Sequence, residues 1–116
     1  VIEILTFSRR GLPEFGRKMF VINNSRIDRM IYEYSNRATM LLRYNPKHDI
    51  IVADHLSPAE QKYAGMSQYY GPDMSYDAFR FKGGRWILEE DIDPNIAINF
   101  KKDNKINSIK RQKENR

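Results

Sequence analysis

The sequence predicts a mainly β fold: an antiparallel meander forming a sandwich or open barrel-like sheet, with one short helix near residues 58–65. Three observations predict it. Gly83-Gly84 sits between two runs rich in aromatic and branched side chains, and a tight primed turn needs two residues that tolerate positive φ. Three runs between Ile27 and Leu56 alternate apolar and polar residues, or are rich in β-branched ones, and are joined by short turn-forming stretches. At 116 residues with 41% hydrophobic content, the chain is one domain that builds its core without disulfides, since it has no cysteine.

Taken in order, Val1–Phe7 reads as a strand and Glu14–Ile22 as a second, with Gly16 a possible bulge. Asn23-Asn24-Ser25 is loop chemistry. Ile27–Tyr34 and Thr39–Tyr44 alternate with period two, which outweighs the helix-forming Met, Leu, Glu and Arg they contain. Asn45-Pro46-Lys47-His48 fits a type I turn with Pro at its second position. Asp49–Leu56 is a β-branched run closing at Ser57-Pro58. Ser57 as cap, Pro58 at the first helical position and Glu60 completing a capping box predict one or two helical turns ending at Gly65. Gly71-Pro72-Asp73 reads as a rigid turn into the hairpin. There the Gly83-Gly84 turn places Phe81 opposite Trp86, Phe79 opposite Leu88, Arg80 opposite Ile87 and Ala78 opposite Glu89. Phe79, Phe81, Trp86 and Leu88 then share one face. Ile96–Phe100 reads as a last short strand.

The charge is unevenly placed. Residues 1–100 carry thirteen Lys/Arg and thirteen Asp/Glu, so the net +5 belongs wholly to residues 101–116. The division is therefore a neutral β domain over 1–100 and a basic tail over 101–116. Lys101, Lys102, Lys110 and Arg111 make the tail a candidate partner-binding or phosphate-binding arm, without aromatic residues for base stacking. No apolar run reaches the ~20 residues of a membrane span. The chain opens with Val1 in a strand-like run, which predicts the C-terminal part of a longer precursor. The missing thiols exclude thiolate zinc sites and cysteine nucleophiles, and no glycine-rich phosphate loop precedes a helix, so no cofactor is expected.

The chemistry-bearing residues are few. Asp54-His55 is the acid–histidine neighbour pair, but adjacent strand residues point to opposite faces, so Asp54 does not orient His55 on a continuous strand. Asp73 and Asp77 are the other carboxylates for a catalytic set around His55, and Ser57 and Ser75 lack a nucleophile-elbow motif. Without such a set, His55 hydrogen-bonds a loop, for which the Ser57-Pro58 turn is nearest. Asp91, Asp93 and Asn95 begin like a calcium loop, but Ile96 and Lys102 stand where glycine and glutamate are needed. Asp side chains there serve equally as turn and cap acceptors. Tyr69, Tyr70 and Tyr76, with Tyr63, surround Gly71-Pro72, either as an aromatic ligand surface or as loop-fastening rings.

Four blocks, RMIYEYSNRATMLLRY (29–44), IIVADHLSP (50–58), YYGPDMSYDAFRFKGGRWIL (69–88) and DIDPN (91–95), resemble an uncharacterised family of predicted exported proteins of Bacteroidetes bacteria. The resemblance spans about residues 1–95, and the GPD-x-SYD and hairpin blocks are its most specific part. It implies a cell-envelope address, in the periplasm or at the outer membrane, and relatives longer at the N-terminus. It implies no activity, so no catalytic residue carries over. The expectation is a non-catalytic envelope protein that binds or scaffolds another envelope protein. A hydrolase centred on His55 and a nucleic-acid binder using the tail are the alternatives.

Overall fold

The computed structural model describes residues 1–97. It is mainly β, as the pattern of alternation and turns predicts. Among the described residues ten strands form: β1 (Ile2–Glu3), β2 (Leu5–Phe7), β3 (Pro13–Phe15), β4 (Phe20–Ile22), β5 (Ser25–Ile27), β6 (Arg29–Met30), β7 (Leu42–Asn45), β8 (Ile50–Pro58), β9 (Tyr70–Lys82) and β10 (Arg85–Glu89). The main sheet has the order β5-β4-β10-β9-β8-β7; β1 pairs with β6 and β2 with β3 in two small sheets. No helix among the described residues is long and apolar enough to cross a membrane.

The β9–β10 hairpin has the expected register, with Phe81 opposite Trp86, Phe79 opposite Leu88, Arg80 opposite Ile87 and Ala78 opposite Glu89. Gly83 and Gly84 have φ of 60° and 76°, the pair of positive values a type I′ turn requires. The Arg80 guanidinium closes on the Glu89 carboxylate through two nitrogens, at 2.7 and 3.3 Å. The sheet buries something on both faces. On one, Phe20 and Phe79 meet edge-on at 5.2 Å and are fully buried, with Phe81 tilted against Trp86 at 4.9 Å and Tyr44 edge-on to Trp86 at 6.3 Å. On the other, Ile50, Val52 and Ala78 form a cluster with Ala97, against which Leu41, Tyr76, Ile92 and Ile96 pack.

Several expectations are corrected. The opening strand is two, because Ile2–Glu3 pairs with Met30 and Arg29 whereas Leu5–Phe7 pairs with Phe15–Pro13. Glu14–Ile22 also splits: Gly16, at φ +93°, ends β3 rather than making a bulge. Asn23 and Asn24 (φ 48° and 65°) form a second primed two-residue turn between β4 and β5, which asparagine tolerates through its short polar side chain. β4 runs parallel to β10, with Phe20 beside Trp86, so the sheet is mixed rather than a pure meander. The strand read over Ile27–Tyr34 stops at Met30, and the next begins only at Leu42. The intervening chain crosses the end of the sheet, tied by the Ser35 amide to the Tyr70 carbonyl (2.8 Å) and by the Asp54 amide to the Leu41 carbonyl (3.0 Å).

Ser57 and Pro58 do not cap a helix; they remain in β8, opposite Gly71 and Tyr70. The helical turns are two 3-10 turns, Gln61–Tyr63 and Ser67–Tyr69, the first entered from Glu60 without a side-chain cap. Gly71-Pro72-Asp73 is likewise strand, not turn: Pro72 lies opposite Leu56 at the edge of a register irregularity, where a missing amide hydrogen costs little. Ile96 and Ala97 are helical, not strand, because Asp93 Oδ1 accepts the Asn95 amide (2.9 Å) and Pro94 takes the first helical position. The rest of that expected strand and the whole basic tail, including Lys101, Lys102, Lys110 and Arg111, lie outside the described residues.

Candidate functional site

The polar groups converge where β8 and β9 fall out of register. Between the pairs Asp54–Tyr76 and Leu56–Pro72, His55 alone faces the three residues Asp73, Met74 and Ser75. A bulge of this kind bends the strand and re-aims its side chains. It forces Met74 to φ +70°, a left-handed conformation that costs an unbranched L-residue about 1–2 kcal/mol, and leaves its side chain 85% exposed. The Asp73 carboxylate organises the bulge. Oδ1 accepts the Ser75 amide (3.0 Å) and hydroxyl (2.6 Å), and Oδ2 accepts the Ser57 hydroxyl (2.6 Å). These hydrogen bonds, that from Ser57 foremost, stabilise the ionised form and hold the group at about 2.

His55 and Asp77 pair across the strands at 2.6 Å, His55 Nδ1–H donating to Asp77 Oδ2. Asp77 also accepts the Asp91 amide through Oδ1 (3.1 Å), which fixes the carboxylate. The hydrogen bond to Asp77 raises the His55 pKa above 6.5, burial opposes it, and the charges of Asp77, Asp73 and Glu90 add to the rise. Tyr32, half-buried, is raised to about 12 by burial and then by the charge of Asp77. The partner of His55 is thus a carboxylate on the neighbouring strand, not the Ser57-Pro58 turn. Asp54 turns the other way, as strand alternation requires, and accepts the Leu41 amide at 2.6 Å.

Such a pair leaves His55 Nε2 as the free proton-handling atom, with the tautomer fixed by Asp77. Acyl transfer would need a hydroxyl or thiol hydrogen-bonded to that nitrogen. Among the described residues His55 bonds only Asp77, and the Ser57 hydroxyl, two residues on, is committed to Asp73. Of the calcium-like trio, Asp93 is a helix cap, Asp91 contributes its amide to Asp77, and Asn95 contributes its amide to Asp93. Among the described residues no three His, Asp or Glu side chains gather closely enough to hold a metal ion.

Beside the bulge lies an open cleft of about 810 Å³. Its lining includes Asn36, Arg37, Ser57, Asp73, Tyr69 and Tyr70. Tyr69 is held by stacking on Tyr63 at 3.9 Å, while the Tyr70 hydroxyl accepts the Gly65 amide at 2.9 Å. Tyr76 does not join them; it packs on the Ile50 cluster. Sequence reading missed Tyr32, in the run expected as strand, and Asn36 and Arg37, in the short turn expected to follow it. The only signal was Ser35-Asn36-Arg37 as turn-forming residues, which said nothing of what they face. No known family model, curated protein or solved structure matches the chain.

Proposed function

We propose that the chain is a non-catalytic protein of the bacterial cell envelope, periplasmic or outer-membrane associated, that binds or scaffolds another envelope protein within a complex. The observation that carries this reading is the β2–β3 hairpin. It stands outside the main sheet, and its register puts Leu5, Phe7, Pro13 and Phe15 on one face. Leu5, Phe7 and Phe15 are 50, 65 and 64% exposed. An isolated two-stranded hairpin is marginally stable in water, so an apolar face of this kind asks for a cover. Arg9, Arg10, Arg17 and Lys18 flank its second strand in the sequence, with Glu14 the lone acid between them. An apolar groove with an acidic rim on a partner protein complements both properties. The envelope address rests on the sequence resemblance.

The test is affinity capture from native envelope with the unaltered chain and with the double variant Phe7→Ser/Phe15→Ser. Since both rings are exposed, the variant keeps its fold while losing its partner. A protein that stays monomeric and captures nothing, or a partner retained by the double variant, overturns the reading. A hydrolase using His55 is the second reading, supported by the 2.6 Å His55–Asp77 pair. It requires ester or glycoside turnover that disappears in His55→Gln.

A further inference from the structure

We propose that the cleft between residues 35–38, 57–59 and 68–73 is a binding site for a neutral oligosaccharide, with Tyr69 as its stacking platform and Arg37, Asn36 and Asp73 as its hydroxyl partners. This site is separate from the apolar hairpin and takes a different class of ligand.

The volume comes first. About 810 Å³ falls within the range of small-molecule sites, well beyond what a single ion needs. The walls are fixed before any ligand arrives. The 35–38 segment is pinned by the Ser35 amide on the Tyr70 carbonyl (2.8 Å), and the 57–59 and 68–73 segments are tied together by the Ala59 amide on the Tyr69 carbonyl (2.9 Å). Ala38 packs close against Gly71, where an added Cβ would lie 3.6 Å from the Ala38 Cβ. Small residues at this join bring the polar side chains near one another.

The lining then selects the ligand. A sugar hydroxyl donates one hydrogen bond and accepts others, so a saccharide site needs donors and acceptors in one place. Arg37 donates, Asp73 accepts, and Asn36 does both. Asp73 is a preset acceptor: three hydrogen bonds from Ser57 and Ser75 orient its carboxylate and leave lone-pair capacity on Oδ2. One guanidinium and one carboxylate leave the lining without net charge, which disfavours an anionic ligand such as a nucleotide. The flat, weakly polar faces of a pyranose ring match an aromatic face. Tyr69 is 40% exposed and stacked on Tyr63 at 3.9 Å and 19°, with Lys62 over the Tyr63 ring. A ring already immobilised loses little side-chain freedom on binding.

The experiment is a titration of the whole chain with chitotriose, maltotriose, cellotriose, xylotriose and mannotriose, followed by backbone amide NMR. The expected result is saturable shifts confined to residues 35–38, 57–59 and 68–73 with at least one of these trisaccharides. Tyr69→Ala should weaken that affinity about tenfold, the equivalent of one stacking contact, while Tyr69→Phe retains it. Asp73→Asn should weaken it, while Tyr76→Phe, on the far cluster, should not. The proposal is overturned if none of the five shifts these amides, or if Tyr69→Ala binds as well as the parent. Shifts from glucose 6-phosphate alone would mark an anion site instead and overturn it equally.

Discussion

At the scale of the residue, two side chains hold positions that cost free energy or change charge. His55 has a pKa raised above 6.5, first by its hydrogen bond to Asp77. The folded state therefore binds the proton more tightly than the unfolded chain does. The stabilisation from the pair is fully present below about pH 6.5 and is lost as pH rises through the raised folded value. NMR titration should place the His55 imidazole above 6.5, and Asp77→Asn should return it toward that value. A His55 titration unchanged in Asp77→Asn would mean that the carboxylate is not its partner in solution. Met74 is the other case. Its φ of +70° suits glycine, so Met74→Gly should raise stability by about 1 kcal/mol in denaturant unfolding, with no apolar burial lost at an 85% exposed side chain. A Met74→Gly protein less stable than the parent would mean that the bulge relaxes without strain.

At the scale of the element, the β9–β10 hairpin shows why some of this fold can be read from sequence. A two-residue turn of Gly83-Gly84 sets register locally, and four aromatic or aliphatic residues follow from it with no distant information. The β4–β5 hairpin uses the same turn geometry at Asn23-Asn24, yet asparagine is common in every loop, so the residues alone do not separate a primed turn from an irregular one. Beyond a hairpin the local signal fades. Ser57, Pro58 and Glu60 spell a capping box, but pairing with Gly71 and Tyr70 keeps the first two in a strand. Asp77 was legible as one carboxylate near His55, and alternation already turns Asp54 away, but only the β8–β9 register, with Ala53 opposite Asp77, puts that carboxylate on the face of the imidazole. Arg37 reaches the cleft by a crossing segment that no period describes. The packing of β4 on β9 gives the element its test. Phe20 is fully buried edge-on against Phe79, so Phe20→Ala should cost about 3–5 kcal/mol, whereas Phe81→Ala, at a ring 40% exposed, should cost clearly less. Equal losses would mean that the buried aromatic pair is not where the stability sits.

At the scale of the molecule, the six-stranded sheet joins two parts. β7, β8, β9 and β10 are neighbours in both chain and space, linked by antiparallel pairs that close short loops. β4 and β5 come from the first quarter of the sequence and meet this ladder along a single parallel seam, Phe20 to Trp86 and Val21 to Ile87. Closing that long loop costs more entropy, and the parallel pairing is slightly weaker per residue. Native-state hydrogen exchange should therefore be faster at Val21 than at Val52, which lies inside the ladder. Equal protection at both would show that the sheet opens only as one unit.

The seam also orders assembly in time. A ladder closed by short loops forms before a segment more than sixty residues upstream arrives, since folding slows as contacts become less local. Until Phe20 seats, Trp86 and Phe79 lie bare beside the unpaired amides of β10, and any passing strand fits there as well as β4 does. Refolding yield should accordingly fall as protein concentration rises, and supplying residues 17–28 as a free peptide should restore it.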